Sequence, residues 1–95
     1  KIKTAILCSS DEYAIEVYNH LSGNDLKIPH DVGIMGFDNI KTLSSFKPQI
    51  STVDYKINEI GERAVEVLQK KRIGKEKKIL DRIIIQHKII PGETI

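Results

Sequence analysis

Apolar residues in this chain fall into short runs and helical stripes, and their order predicts the fold. Residues 4–8, Thr-Ala-Ile-Leu-Cys, have the length and flanks of a buried strand. Ser9-Ser10-Asp11-Glu12 follows directly. Ser9 and Glu12 stand at capping-box spacing, and both acids fall where the positive end of a helix favours them. Ala14, Ile15, Val17, Tyr18 and Leu21 then recur at helical intervals, and Ser22-Gly23-Asn24-Asp25 offers residues that tolerate the left-handed turn ending a helix. After Pro29 and Asp31, residues 32–37 form a second apolar run. A strand, a helix of about three turns and a second strand within roughly thirty residues predict a βαβ unit, hence a parallel sheet with a right-handed crossover.

Gly33 and Gly36 inside that second run point to close approach by a neighbouring backbone or ligand. Residues 40–47 are polar with Leu43 and Phe46 interspersed, a short helix or turn that Pro48 ends, and residues 50–55 read as extended. Residues 58–72 give the clearest helix. Ile57, Ile60, Ala64, Val67 and Leu68 share one stripe, and Glu59, Glu62, Arg63, Glu66 and Lys70 fall away from it. Gly61 interrupts the stripe at a cost of about 1 kcal/mol relative to Ala, which predicts close packing against another element. Ile79-Leu80 and residues 83–90 complete the pattern as strands, with Asp81-Arg82 as a bend or bulge and Pro91-Gly92 as the stop.

The length of 95 residues allows one domain at most, and a chain of this size hides only roughly 60 to 65% of the surface its unfolded form exposes. It opens on Lys1-Ile2-Lys3-Thr4 without an initiator Met and enters a strand almost at once, and so reads as a piece of a longer protein. With 40% hydrophobic residues, 29% charged and a net charge of +2, the composition is that of a globular protein. No run approaches the ~18 apolar residues of a spanning helix, and no signal pattern opens the chain, so no membrane partner is expected. The single cysteine, Cys8, cannot form an internal disulfide; it reads as a buried strand thiol and suits a reducing cytoplasm. Lys70, Lys71, Arg72, Lys75, Lys77 and Lys78 cluster with only Glu76 opposing them. The cluster closes a helix, where cations are favoured, and lacks the aromatic residues of a nucleic-acid surface.

Enzyme motifs are absent: there is no G-x-S-x-G elbow, no Walker loop and no G-x-G-x-x-G. His20, His30 and His87 are scattered and no second cysteine joins them, so neither a metal nor a cofactor is expected. Asp38 is different. It follows the apolar run Val-Gly-Ile-Met-Gly-Phe, which places its carboxylate at the carboxyl end of a parallel strand, where α/β sheets bind ligands. There it can accept hydrogen bonds from ligand hydroxyls or ring N–H groups, or it can merely cap its own loop. Ser10, at the end of the first strand, sits beside the same crevice.

These residues resemble the lactose-repressor/galactose-repressor (LacI/GalR) family of bacterial transcription regulators. The resemblance is carried by Thr4-Ala5-Ile6-Leu7-Cys8-Ser9-Ser10-Asp11 with Ala14, by Leu26-Lys27-Ile28-Pro29-His30-Asp31-Val32 leading into Gly33-Ile34-Met35-Gly36-Phe37-Asp38-Asn39, by Pro48-Gln49-Ile50-Ser51-Thr52-Val53, and by Gly61-Glu62-Arg63-Ala64. It implies a periplasmic-binding-protein-like (type I) α/β fold, parallel sheets flanked by helices around an effector cleft, of which this chain is a C-terminal fragment. Residues 1–50 would belong to the C-terminal effector-binding subdomain. Residues 51–95 would supply the crossover, a helix and strands that contribute to the N-terminal subdomain and return. Asp38, Ser10 and Ile57 align with positions lining the family's cleft, Ile57 being equally suited to plain core packing. Ile15, Asn19, Thr42 and Phe46 fall on the family's dimer surface, Ile15 again being open to a core role.

The partners so implied are a small polar effector such as a sugar, a second copy of the chain, and operator DNA held by a helix-turn-helix domain absent here. Ser10 departs from the Asn common in the family's Asn-Asp pair, and a hydroxyl reaches less far than an amide. Pro91-Gly92 stands where many members carry Arg. The alternative reading is a periplasmic or surface sugar-binding protein of the same fold. On either reading the cleft needs residues upstream of Lys1, so the piece alone is expected to bind effector poorly.

Overall fold

Strand β1 (Thr4–Leu7) runs parallel to β2 (Val32–Met35), with Thr4 opposite Val32 and Leu7 opposite Met35. Helix α1 (Asp11–Ser22) lies between them in sequence. This computed structural model, which describes residues 3–72 and 82–95, therefore contains the βαβ unit that the apolar pattern predicts. The chain divides into two compact units, one of Lys1–Asp54 with Lys88–Ile95 and the other of Tyr55–His87.

In the first unit, α1 lays Ala14 into a core with Cys8, Ile34, Leu43 and Ile50, against which Ile15, Val17, Tyr18 and Leu21 pack. Fully burying a side chain such as Ile34, Leu43 or Ile50 is worth about 1.5–3 kcal/mol. Residues 40–47 become a 3-10 helix (Lys41–Ser45) that seats Leu43 in this core. Phe46 follows it, its ring perpendicular to that of Tyr18 with the ring centres 5.6 Å apart. Two expectations are corrected here. The N-cap of α1 is Ser10, whose Oγ accepts from the Tyr13 N–H at 3.3 Å, rather than Ser9; the residue three positions on is then Tyr13, which cannot close a capping box. Three of the four residues of β1 are exposed, because among the described residues β1 pairs on one side only and Leu7 turns to solvent.

Beyond β2 the sheet is extended by residues 51–54. Met35 bridges in parallel to Ser51, and the Gly36 N–H donates to Ser51 O at 2.8 Å. Strand β3 (Thr52–Asp54) pairs antiparallel with β4 (Lys88–Ile90), Thr52 opposite Ile90 and Asp54 opposite Lys88. Thr94 then acts as a rung between strands. Its O accepts from the Ile34 N–H at 2.7 Å, its hydroxyl donates to Ile34 O at 2.7 Å, and the same oxygen accepts from the Ser51 N–H at 3.0 Å. The two strand glycines are explained by neighbours of this kind. A Cβ on Gly33 would lie 3.2 Å from Ile95 Cγ1, and one on Gly36 would overlap Asp11 Oδ1.

The second unit holds α2 (Ile57–Arg72). Ile60, Ala64, Val67 and Leu68 of its stripe, with Arg63, line an open groove of about 450 Å³ with Ile83 and Ile85. No residue of α2 is buried, and a Cβ on Gly61 would meet nothing within 4 Å, so the close packing expected at Gly61 is not found among the described residues. Of the strand predicted over residues 83–90, residues 83–87 form no strand. A strand exists only by its ladder, and among the described residues β3 is the strand that pairs with this stretch, starting at Lys88. Ile79, Leu80 and the Asp81 bend lie outside the described residues, as do Lys75, Glu76, Lys77 and Lys78 of the basic cluster.

Candidate functional site

The polar centre of the first unit is Asp11, at the first position of α1 and wholly buried. An unpaired carboxylate in such a place is costly, and each oxygen here has a partner. Oδ2 accepts from the Ile40 N–H at 2.8 Å, and Oδ1 accepts from the Thr52 hydroxyl at 2.5 Å. Thr52, also wholly buried, has one hydroxyl proton. Donating it to Asp11 leaves its oxygen free to accept from the Asn39 N–H at 3.3 Å.

These bonds converge on the loop that leaves β2. Phe37 O accepts from the Asp11 N–H at 2.9 Å, and the Asp38 N–H donates to Val53 O at 3.0 Å. With the bonds from Asn39 and Ile40, four successive residues are held by backbone from α1 and β3 and by two buried side chains. The clamp coincides with backbone strain. Asp38 has φ 114° and Asn39 φ 56°, both in the half of conformational space that favours glycine, at a cost of about 1–3 kcal/mol each. Such strain persists where surrounding structure over-determines it, and often where function needs the resulting geometry.

What the clamp leaves over is the Asp38 carboxylate. It is half-buried at the carboxyl end of β2, and among the described residues it has no hydrogen-bond or ion-pair partner. The loop amides of Asn39 and Ile40 are held by Thr52 and Asp11 rather than by Asp38. Ser10 and Asp38 are the chain neighbours of the two residues joined by the Asp11 N–H to Phe37 O bond. The Ser10 oxygen already accepts from Tyr13 as the helix cap, which leaves it one proton to donate to a ligand. Ile57 belongs to the second unit, at the start of α2, and is 61% exposed. Of the residues assigned by resemblance to a dimer surface, Asn19 and Thr42 are exposed, and Ile15 and Phe46 are half-buried against their own core. Among the described residues no cluster of His, Cys, Asp or Glu could hold a metal ion.

The sequence reading placed Asp11 only as a first-turn acid and gave Thr52 and Thr94 no role. Their signal is spatial: Asp11 meets Ile40 and Thr52 across 29 and 41 residues of chain. Cys8, buried as expected, has its thiol pKa pushed up by that burial.

Comparison with known proteins places this geometry. Residues 1–95 match the family of periplasmic binding protein-like domains. The transcriptional repressor PurR of Vibrio campbellii is 33% identical over 76 residues, 80% of this chain and 23% of the repressor. A solved LacI-type transcriptional regulator from Bacillus cereus subsp. cytotoxis superposes with a TM-score of 0.88 at 30% identity, over 100% of this chain and 33% of the other. A LacI family regulator from Arthrobacter sp. FB24, solved as a complex with lactose, gives 0.83 at 29% identity, over 95% of this chain and 34% of the other. The chain thus spans about a quarter of the length of the curated relatives it matches.

Proposed function

The chain belongs to the family of periplasmic binding protein-like domains carried by LacI-type transcriptional regulators, and on that footing we propose that it supplies Asp38 as a hydrogen-bonding anchor for a small polar effector, such as a sugar, whose binding switches a DNA-binding domain outside this chain. The observation that carries the reading is the Asp38 carboxylate, without a partner among the described residues and presented on a strained and clamped loop at the carboxyl end of β2. A carboxylate offers only acceptors, so its ligand must bring donors: the vicinal hydroxyls of a sugar or the ring N–H groups of a base. Ser10 contributes a single donor beside it. The lactose complex of the Arthrobacter regulator is consistent with the first class.

A switch of this kind needs only that effector bind one of two states of the regulator more tightly, with coupling typically about 1–3 kcal/mol. The reading includes a cytoplasmic homodimer, in which the exposed Asn19 and Thr42 and the half-buried Ile15 and Phe46 meet a second copy; sedimentation of the full-length protein tests it. The effector assignment is tested by calorimetry on the full-length protein with ribose, lactose, sucrose, cellobiose, adenine and guanine. Binding that Asp38→Ala abolishes supports the reading, and binding indifferent to that substitution refutes it.

A further inference from the structure

We propose that Asp11 and Thr52 are positioning residues for Asp38: a buried pair that never meets ligand but sets the direction of the ligand-facing carboxylate through the loop backbone. The inference rests on the reading of Asp38 given above.

Three observations carry it. First, both side chains are wholly buried and their oxygens are engaged within the protein, so neither has an atom directed at solvent. Second, the N–H groups they hold are those of Asn39 and Ile40, the two residues after Asp38, and the strained φ values fall on Asp38 and Asn39 themselves. Without those acceptors, only the backbone bonds at Phe37 and Asp38 remain to hold Asp38 at φ 114°. Third, the arrangement is built from two directions at once. Asp11 is fixed by the start of α1, and Gly36 leaves room for its carboxylate where any side chain would collide. Thr52 lies in β3, two residues before Asp54, where the first unit ends and the chain continues into the second. Since Val53 O also takes the Asp38 N–H, a displacement of β3 is passed directly to Asp38. The pair therefore ties the orientation of the ligand anchor to the strand by which the chain leaves the unit.

The test uses the full-length protein and the variants Thr52→Val, Thr52→Ser and Asp11→Asn. Val keeps the volume of Thr but removes the hydroxyl that joins Asn39 to Asp11; Ser restores it. Without ligand, hydrogen–deuterium exchange of the peptide spanning residues 37–41 is expected to rise about tenfold or more in Thr52→Val and Asp11→Asn and to return near wild type in Thr52→Ser, other core peptides being unchanged. Titration with ribose, lactose and adenine then completes a double-mutant cycle. Thr52→Val is expected to weaken binding about tenfold when Asp38 is present and less than about twofold in an Asp38→Asn background. Exchange that rises throughout the protein, or an equal loss of binding in both backgrounds, overturns the proposal in favour of a general stabilising role. Full binding by Asp38→Asn, with the local exchange result intact, instead removes the ligand role of Asp38 and leaves the hold on the loop standing.

Discussion

Gly36 and Asp11 share one space: a Cβ on the glycine would lie 3.1 Å from Asp11 Cα and would overlap Asp11 Oδ1. The carboxylate is not free to withdraw, because its two oxygens are hydrogen-bonded to Ile40 and Thr52. Gly36→Ala is therefore expected to destabilise the first unit by about 2 kcal/mol or more, at the upper end of overpacking costs. Urea unfolding followed by circular dichroism checks this; a midpoint within error of wild type would mean that Asp11 relaxes freely.

Thr94 is the second polar residue on which the sheet depends. Thr94→Val removes the hydroxyl but not the volume, leaving Ile34 O and the Ser51 N–H without their side-chain partner. Losing such buried partners costs about 1–3 kcal/mol each. A drop in melting temperature is expected, and Thr94→Ser should recover most of it.

Asp38→Gly separates strain from binding. Glycine adopts φ 114° without penalty, so the variant should be as stable as wild type or up to about 1 kcal/mol more stable, the relief being partly offset by a more flexible unfolded chain. Effector binding should be lost. A variant that loses both stability and binding would show that Asp38 serves the fold.

Cys8 gives the chain a pH dependence of known sign. Burial raises the thiol pKa above its ordinary value, so the folded protein retains its proton at a pH where the unfolded chain has begun to lose it. This contribution is level below about pH 8.5, the ordinary thiol pKa, and declines as pH rises from there toward the folded pKa. The difference in unfolding midpoint between wild type and Cys8→Ala, measured from pH 7 to 9.5, should shrink at the alkaline end. A difference constant across the range would contradict it.

What could be read from the sequence divides along the range of the interactions involved. The βαβ unit was legible because a period of two or 3.6 is written locally, as was the helix beginning near Ile57. The N-cap was missed by one position, because Ser9 and Ser10 are equivalent in sequence and the backbone alone chooses between them. Residues 83–87 looked like a strand because apolar runs signal burial, not pairing; no ladder reaches them among the described residues. Asp38 was visible as the polar end of an apolar run. The pair that holds it was not, since Asp11 and Thr52 are separated by 41 residues and nothing local marks a carboxylate that will be buried.

The pairing of Asp54 with Lys88 makes residues 55–87 a bracketed insertion. The backbone departs and returns across one rung of an antiparallel ladder, where facing Cα atoms are about 4.5–5.5 Å apart, a gap that a two-residue turn such as Asn-Gly spans. Excising the insert and splicing in that turn would join β3 to β4 as a plain hairpin, with a far shorter loop to close. The result would be a miniature scaffold in which the aspartate anchor could be studied, or regrafted, apart from the rest of the molecule.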